Sequence, residues 1–353
     1  MAGDGREPVR VVLIGGGVQP IPPTGYGGTE RFLADLQRAL GAAGHEPIVV
    51  NQVRHGRQRD EYPFAWELPG LLRRERYDVL HANSPVVANR LALGGYPYVY
   101  TSHSRHWYYR ERLSHRWGFW LERRAVRRAS APVALTEPLA RTMRARVPST
   151  RRPISVIPFG VDGDRFRPAW VARTGSRALG VGVVAPFKRW ELAASALRGT
   201  GLTFTLVGPI PDPAYAERVR SSGDRVELTG EISEEELTRR FATSDLLVHP
   251  SRAELLAGVV VQALSAGLPV IGGPALEGVV DHGRDGWIVP DADPAGFVAG
   301  LRERALALGQ DAGLRRNVGE AGRAIAQERF SWPAVVAKYV ELYRAVAAEP
   351  QRG

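Results

Sequence analysis

The sequence predicts an α/β protein of two domains, each a doubly wound parallel sheet of the Rossmann type. Short apolar runs rich in Val and Ile recur along the chain, alternating with segments whose apolar residues have helical spacing. With 353 residues, 44% of them hydrophobic, the chain is long enough for two domains of ordinary size. A turn-prone stretch rich in Pro, Gly and Asp, 154–168, separates two such series. We therefore place the domain boundary there.

The first series begins with a buried strand. Residues 9–14 form a β-branched run that ends in three glycines, which is typical of a parallel strand entering a loop. The apolar residues of 29–40 recur at helical spacing and indicate the next helix. Further strands are predicted at 47–50, 79–82, 98–101 and 132–136, and further helices at 66–76 and 112–130.

The second series repeats the pattern, with strands predicted at 178–184, 202–208, 225–230, 245–250 and 268–273. A last amphipathic segment, 332–346, follows Ser331 at a helix-capping position. We predict an N-terminal domain of residues 1–163 completed by the helix 331–347, and a C-terminal domain of residues 164–330.

Composition and charge exclude several classes of protein. No apolar run approaches the roughly 18–20 residues of a membrane-spanning helix. The absence of Cys excludes disulfides, thiolate zinc sites and Cys nucleophiles. The first eight residues are polar and unlike a signal peptide, so we expect a cytoplasmic protein. The net charge of +10 is concentrated in 101–170, which holds 15 Arg against five acidic residues, so we expect no nucleic-acid partner.

Two glycine-rich loops of the first domain have the composition of phosphate-binding loops. They contain residues 15–17 and 25–28, and the second leads directly into the predicted helix. Glycine lets a phosphate approach the backbone, and the amides and dipole of a helix N-terminus favour an anion. The alternative for either loop alone is a plain turn.

Two other motifs are better explained by local structure. The stretch 180–185 matches the dinucleotide pattern G-x-G-x-x-A, but the next strand ends in Leu-Val-Gly without the acidic residue that holds a ribose. D-x-D occurs at Asp162 to Asp164 and at Asp291 to Asp293, in both cases within Pro- and Gly-rich turns where Asp is expected. We therefore predict neither a Rossmann dinucleotide site nor a metal site.

The stretch 249–273, HPSRAELLAGVVVQALSAGLPVIGG, carries the clearest functional signal. It predicts a strand, a loop containing Glu254, an apolar helix and a second strand. Gln262 lies about two turns inside that apolar helix and needs a hydrogen-bond partner, which is either protein or ligand.

These motifs, taken in order, resemble the retaining GT-B glycosyltransferases of the family-4 type, which use nucleotide sugars. GYGGTERFLADLQRALGAAGHE resembles the family's first glycine loop and helix, and VIPFGVDGDRFRP resembles its interdomain motif. PFKRWELAASAL, SDLLVHPSRAE and GLPVIGG follow the order of its second domain, and FSWPAVVAKYVELYRAV resembles its closing helix. The resemblance implies a GT-B fold, with two Rossmann-like domains facing across a cleft and the C-terminal helix crossing back to the first domain.

The resemblance also implies roles for particular residues. The catalytic group comprises His103 near the transferred sugar, Lys188 beside the departing diphosphate, and Glu254 on the sugar hydroxyls. The residues implied to bind the donor are Gly27, Gly28, Arg189, Ile232, Leu255, Leu256, Ala257, Gly258 and Gln262. The implied mechanism retains the anomeric configuration of the sugar and uses no metal or other cofactor. In it, the leaving phosphate takes the proton of the acceptor hydroxyl.

Two positions of the donor site depart from the family pattern, and Phe159 replaces a commonly polar residue of the interdomain motif. Gln262 stands where the family usually has a Glu that binds the nucleotide ribose, and a bond from Gln lacks charge assistance. Val183 stands where an Arg usually accompanies the loop Lys, and Arg189 is the nearest substitute. These departures leave open a non-catalytic protein that binds a nucleotide sugar.

The segment 104–130, which mixes aromatic residues with many Arg, is the expected acceptor side. We predict acceptor contacts for Arg105, Trp107 and Tyr108, because aromatic rings stack on flat ligands and Arg binds anions. Docking on anionic lipid, a single-stranded nucleic-acid surface and a solvated helix with a plain aromatic core are alternatives.

The predicted function is transfer of a hexose from a UDP or GDP sugar to a small-molecule acceptor in specialised metabolism, by a monomer or homodimer. A glycolipid or cell-envelope glycosyltransferase with peripheral membrane contact through 104–130 is the alternative.

Overall fold

A computed structural model describes residues 7–23, 27–57, 60–103, 105–108, 113–254 and 258–349. The chain divides into two compact units. Unit 1 comprises Met1–Gly160 and Trp332–Gly353, and unit 2 comprises Val161–Ser331. Unit 2 is thus slightly longer at each end than the predicted 164–330, because the Val161 N–H donates to the Phe330 carbonyl and Val161 bridges Ser331.

Unit 1 contains a six-stranded sheet in which every pairing is parallel. Its strands are β1 (Arg10–Ile14), β2 (Glu46–Val50), β3 (Val79–Ala82), β4 (Tyr98–Thr101), β5 (Ala131–Ala134) and β6 (Ser155–Val156). The spatial order is β2-β1-β3-β4-β5-β6. The chain reverses direction across the sheet after β2, so the carboxyl ends of β1 and β3 meet at the switch point where ligands bind in such folds.

Helices cover both faces of this sheet. They are α1 (Gly28–Ala42), α2 (Glu61–Leu72), α3 (Pro85–Leu93), α4 (Leu113–Arg128), α5 (Glu137–Arg146) and the C-terminal α12 (Trp332–Ala347). Side-chain caps explain where two of them begin, since Ser84 accepts from the amides of Val86 and Val87 and Thr136 accepts from that of Leu139. Since α2 to α5 each connect strands that advance in one direction, right-handed crossovers place them on the face opposite α1.

The C-terminal helix returns to unit 1, as predicted. Its apolar face packs with α1 and the sheet in one buried cluster. Beneath it, His81 contacts the Tyr343 hydroxyl at 2.8 Å and Thr101 Oγ1 at 2.7 Å, and Thr101 contacts the Tyr339 hydroxyl at 3.1 Å. Burial lowers the pKa of His81 to about 3, so this buried network is uncharged.

Unit 2 contains a second six-stranded sheet, again parallel throughout. Its strands are β7 (Arg177–Val181), β8 (Thr203–Val207), β9 (Val226–Gly230), β10 (Leu246–His249), β11 (Val270–Gly272) and β12 (Gly286–Ile288). The spatial order is β12-β11-β10-β7-β8-β9, so the switch point lies at β7 and β10.

The helices of unit 2 are α6 (Trp190–Leu197), α7 (Pro213–Ser222), α8 (Glu234–Thr243), α9 (Gly258–Ser265), α10 (Pro294–Gln310) and α11 (Ala312–Arg329). Asp or Ser caps begin four of them, namely Asp212, Ser233, Asp293 and Asp311. The predicted fold class, two Rossmann-like α/β domains, is confirmed by the two parallel sheets.

Some predicted boundaries were wrong. The strand predicted at 178–184 ends at Val181, where Gly182 turns the chain. Gly208 has a φ of +144°, and a side chain there would come within 2.2 Å of the Gly182 carbonyl oxygen, so the loops after β7 and β8 are pressed together. The short strand β12 was not predicted. Within the described part of the chain, no helix is long and apolar enough to cross a membrane.

Candidate active site

In unit 2, a Lys and a Glu meet at the carboxyl edge of the sheet. Lys188 ends a short 3-10 turn, Pro186–Lys188, that follows β7, and Glu254 lies in the loop that follows β10. The Lys188 ammonium donates a hydrogen bond to Glu254 Oε1, and the two side chains are only 10% and 18% exposed. A buried, charged pair of this kind at a sheet switch point is typical of a site that binds a polar ligand.

Glu254 is ionised at neutral pH although it is largely buried. Burial alone would raise the pKa of Glu254, but the neighbouring His249 imidazole and the Lys188 ammonium outweigh it and hold the pKa at about 2. The carboxylate is therefore a permanent hydrogen-bond acceptor in the physiological range. Hydroxyl groups are suitable donors to such an acceptor.

His249, the last residue of β10, was missed by the sequence reasoning. Its Nε2 lies 3.6 Å from Glu254 Oε1, and its ring packs edge-to-face on Trp190 at 6.3 Å. Among the described residues neither ring nitrogen has a hydrogen-bond partner, and burial lowers the pKa of the imidazole, so it is neutral. The signal was present in the motif HPSRAE, but only the fold brings His249 under Glu254.

Arg189 is engaged by a carboxylate of its own unit. Its guanidinium binds Asp291 through two hydrogen bonds of 2.6 and 2.8 Å, and Arg252 Nε binds the same carboxylate at 2.5 Å. Among the described non-glycine residues only Arg189 has a positive φ, 63°, and this left-handed turn begins α6. The implied role of Arg189 on a diphosphate stays a prediction, and in this structure its planar fork is bound by the Asp291 carboxylate.

Residues of both D-x-D motifs have hydrogen-bond partners within the protein. Asp293 caps α10 by accepting from the Gly296 amide at 2.8 Å, and Asp162 accepts from the Asp164 amide at 2.9 Å. Among the described residues no group of His, Asp and Glu has the arrangement of a metal site.

Three other residues that are predicted to bind the donor lie on α9 and on the loop after β9, namely Gly258, Gln262 and Ile232. Gly258 begins α9 and Gln262 is half-buried one turn later, on a helix whose other faces are apolar and buried. Ile232 is half-buried beyond Gly230, where a side chain would meet only open space. Leu255, Leu256 and Ala257 lie outside the described residues.

In unit 1, His103 follows β4 and is held by three side chains. Its Nε2 lies 3.0 Å from Asn83 Oδ1, and its ring packs on Phe32 at 5.1 Å and on Phe159 at 5.8 Å. Asn83 donates through Nδ2 to the His81 carbonyl at 3.2 Å, which directs Oδ1 towards His103. His103 Nε2 therefore carries the proton. Burial lowers the pKa of His103 to about 3, so the ring is neutral and its Nδ1 is an acceptor.

Gly27 and Gly28 stand at the start of α1. Gly27 is the N-cap, with an extended φ of −164° and no side chain to cap the first amides. A side chain at Gly28 would meet nothing within 4 Å, so the first turn of α1 is open to an approaching group. The preceding residues 24–26 of the glycine loop lie outside the described part.

A second residue that the sequence reasoning missed is Glu61, the first residue of α2. Its carboxyl group accepts a hydrogen bond from the Ser84 hydroxyl, and a side chain at Gly16 would come within 3.2 Å of Glu61 Oε1. Burial raises the pKa of Glu61 to about 7, with Glu30 acting in the same direction and Ser84 against it. No motif marked Glu61, because only the fold brings α2 against the first glycine-rich loop, residues 15–17.

The three residues predicted to contact the acceptor differ in how the structure describes their side chains. The Trp107 ring is fully buried, donates through Nε1 to Ser102 Oγ at 2.9 Å and packs edge-to-face on Phe119 at 5.5 Å. The predicted contact of Trp107 with an acceptor is therefore wrong in this structure, since the indole has a packing role. Tyr108 is half-buried, and the side chain of Arg105 lies outside the described part.

Two Rossmann-like α/β units of this kind are the domains of the GT-B class of fold. The family described as "Glycosyltransferase Family 4" matches residues 26–165, and that described as "Glycosyl transferases group 1" matches residues 187–305. The chain belongs to the family-4 type of glycosyltransferases.

Particular relatives agree with this assignment. The chain is 35% identical over 210 residues to 2-deoxystreptamine glucosyltransferase from Streptomyces kanamyceticus, covering 52% of the chain and 54% of that enzyme. It thus spans about half the length of this relative. Among solved structures it resembles sucrose-phosphate synthase from Thermosynechococcus elongatus, with a TM-score of 0.78, 22% identity and coverage of 96% and 99% of the two chains. Anabaena HepE in complex with UDP and glucose has a TM-score of 0.73, 18% identity and coverage of 96% and 100%.

Proposed function

We propose that the chain is a retaining, metal-independent hexosyltransferase that moves a sugar from a UDP or GDP sugar to a small-molecule acceptor. The observation that carries the proposal is the buried Lys188 and Glu254 pair at the switch point of unit 2. It supplies a fixed cation for a diphosphate and a permanent acceptor for sugar hydroxyls. The solved HepE complex, which contains UDP and glucose, supports a uridine diphosphate sugar as the first donor to test.

The proposed chemistry uses the charges of the pair. The bond between the anomeric carbon and the β-phosphate oxygen breaks, and the sugar passes through an oxocarbenium-like state. The departing phosphate oxygen takes the proton of the acceptor hydroxyl, whose oxygen bonds to the anomeric carbon on the same face. Negative charge grows on the diphosphate during this step, and the Lys188 ammonium stabilises it.

Other residues have supporting roles in this proposal. Glu254 accepts hydrogen bonds from sugar hydroxyls, and the amides at Gly258 and the start of α9 bind phosphate oxygens. Gln262 binds the nucleotide ribose and the backbone near Ile232 contacts the base. In unit 1, the diphosphate approaches Gly27 and Gly28. His103 Nδ1 accepts a hydrogen bond from a sugar hydroxyl.

The acceptor is proposed to be a polyhydroxylated small molecule of specialised metabolism. The support is the relative from Streptomyces kanamyceticus, whose name states that it glucosylates 2-deoxystreptamine, a cyclic amino alcohol. Since that match covers about half of either chain, the acceptor itself is to be found by experiment.

The test is turnover of a panel of UDP-, GDP- and dTDP-hexoses with 2-deoxystreptamine, followed by release of free nucleotide in the presence and absence of EDTA. The proposal expects release with at least one donor, unchanged by EDTA, and a product with the anomeric configuration of the donor by NMR. Binding of a donor without any release would instead support the non-catalytic nucleotide-sugar-binding protein. A product with the opposite anomeric configuration to the donor, or loss of activity in EDTA, would overturn the proposed mechanism.

A further inference from the structure

One face of unit 1 has a composition that the proposed chemistry does not use. Over residues 116–128 of α4, whose side chains are described, the exposed residues are all Arg or Trp, and with the half-buried Arg124 we name them the basic tryptophan face. It consists of Arg116, Trp117, Trp120, Arg123, Arg124, Arg127 and Arg128. Over 116–128, the part of α4 whose side chains are described, the single acidic residue is Glu122, and it is buried.

The charge of the face is concentrated at a pocket. Four of its Arg and Trp120 line a pocket of about 610 Å³, together with Arg151 from the loop after α5. Among the described residues, no ion pair with a carboxylate neutralises Arg123, Arg124, Arg127 or Arg128. Guanidinium groups clustered in this way bind phosphate, since each offers a planar fork of donors.

The apolar part of the surface extends beyond α4. Trp117 and Trp120 are 55% and 47% exposed, and on the neighbouring helices Trp66 of α2 and Leu93 of α3 are 75% and 68% exposed. The three helices lie in one layer, since α3 packs against both of the others. Large exposed apolar side chains on three adjacent helices, bordered by Arg, indicate a surface that is covered in use.

We propose that this layer of unit 1 docks on the surface of an anionic lipid bilayer. The Arg guanidinium groups would bind lipid phosphates, while the exposed indoles and Leu93 would enter the boundary between headgroups and acyl chains. The contact is peripheral, because no described helix could span a bilayer. The proposal goes beyond the glycosyl transfer and holds whether the acceptor is soluble or lipid-linked.

Two other anionic ligands fit the observations less well. Bases of a single-stranded nucleic acid stack on aromatic side chains whose ring faces are free. The Trp117 and Trp120 rings instead stack on each other, with 5.2 Å between their centroids, and Arg124 Cζ lies 5.7 Å from the Trp120 centroid. A small phosphate compound would occupy the Arg pocket but would leave Trp66 and Leu93 uncovered. An anionic bilayer surface offers phosphates to the Arg side chains and an apolar layer to the exposed Trp and Leu side chains.

Sedimentation with vesicles tests the proposal without any need for turnover. The full chain is mixed with phosphatidylcholine vesicles with and without phosphatidylglycerol, at low and high salt. We expect binding only with the anionic lipid, weakened by salt. The double variant Arg124→Gln/Arg127→Gln should lower the partition coefficient roughly 25-fold, at about a fivefold effect for each Arg. Trp117→Leu/Trp120→Leu should lower it roughly tenfold.

The matched control removes two Arg from unit 2. Arg220→Gln/Arg316→Gln changes the net charge equally, at exposed side chains that pair with Glu217 and Glu320. It should bind vesicles as the wild type does, and melting temperatures show that every variant is folded. The proposal is overturned by absence of vesicle binding, by equal binding to neutral vesicles or by an equal loss in the control. It is also overturned if inositol hexakisphosphate or a single-stranded oligonucleotide binds the face while anionic vesicles do not.

Discussion

Lys188 donates a hydrogen bond to Glu254 within unit 2, and both side chains are withdrawn from solvent. The two residues are 66 positions apart and are brought together only because β7 and β10 are neighbours in the sheet. The ammonium keeps the carboxylate ionised, and the carboxylate holds the ammonium at the carboxyl edge of the sheet. The proposed chemistry therefore depends on a pair that is formed before a donor arrives.

Breaking this pair from one side should destabilise the protein more than removing both charges. Lys188→Met leaves a buried carboxylate without a cation and should lower the free energy of unfolding by about 3 kcal/mol. The double variant Lys188→Met/Glu254→Gln should recover at least half of that loss. Urea unfolding of the wild type, both single variants and the double variant measures the coupling. Strictly additive losses would show that the pair has no energetic coupling.

His249 should affect turnover through Glu254. The Nε2 of its imidazole lies 3.6 Å from Glu254 Oε1, a contact that limits where the carboxylate can lie and helps to keep its pKa low. His249→Phe should lower kcat roughly tenfold with little change in donor KM, because a misplaced carboxylate orients the sugar poorly. The control Val248→Ala alters a buried neighbour on the same strand, whose side chain points to the other face of the sheet. Equal kcat in the two variants would argue against a role of His249 in positioning.

Glu61 should make the chain less stable as the pH rises. Its pKa is raised from an ordinary 4.5 to about 7 in the folded state, so between these values the folded chain holds a proton that the unfolded chain has lost. Stability is therefore highest below about pH 4.5 and falls by up to about 3 kcal/mol towards pH 7 from this group alone. Glu61→Gln should remove this part of the slope. Unfolding midpoints of both proteins at pH 5 and pH 8 measure it, and parallel curves would contradict the assignment.

The His103 imidazole should not produce a titration near neutral pH. Burial lowers its pKa to about 3, so the ring is neutral from pH 5 to pH 8 and its Nδ1 remains an acceptor. NMR of the imidazole resonances across that range should show no shift assigned to His103, with His103→Gln used for the assignment. A midpoint near 6.5 would mean that the ring is more solvated than the structure shows.

Trp107 should act on stability and not on the acceptor. Trp107→Phe removes the hydrogen bond to Ser102 and part of a buried ring, so unfolding should become easier by about 1 to 3 kcal/mol. The acceptor KM should stay within a factor of two. A large rise in acceptor KM without loss of stability would restore the acceptor contact that the sequence suggested.

The sequence predicted the parallel sheets because their strands are continuous apolar runs, such as 9–14 and 245–250, with helical spacing between them. It did not predict β12, whose three residues Gly286–Ile288 are too short for a pattern. Boundaries at glycines, such as Gly182, depend on the close approach of another loop. No local pattern could show that approach.

Site residues were predicted where a motif carried them and missed where only the fold assembles them. The resemblance pointed to Lys188 and Glu254, which the structure brings into contact, whereas Glu61 meets Ser84 and His249 meets Trp190 only through the fold. For Arg189 and Trp107 the structure adds one thing that no sequence pattern could show. Sequence alone does not show whether a side chain already has a protein partner, here Asp291 and Ser102.

The two lysines of this chain allow the most direct test of the central claim, that Lys188 stabilises the departing diphosphate. Lys338 lies exposed on α12 and serves as the matched control. With the best donor of the panel, Lys188→Ala should lower kcat by on the order of a hundredfold or more, and Lys338→Ala should leave it unchanged. A Lys188→Ala variant that is folded and retains the wild-type kcat would contradict the account.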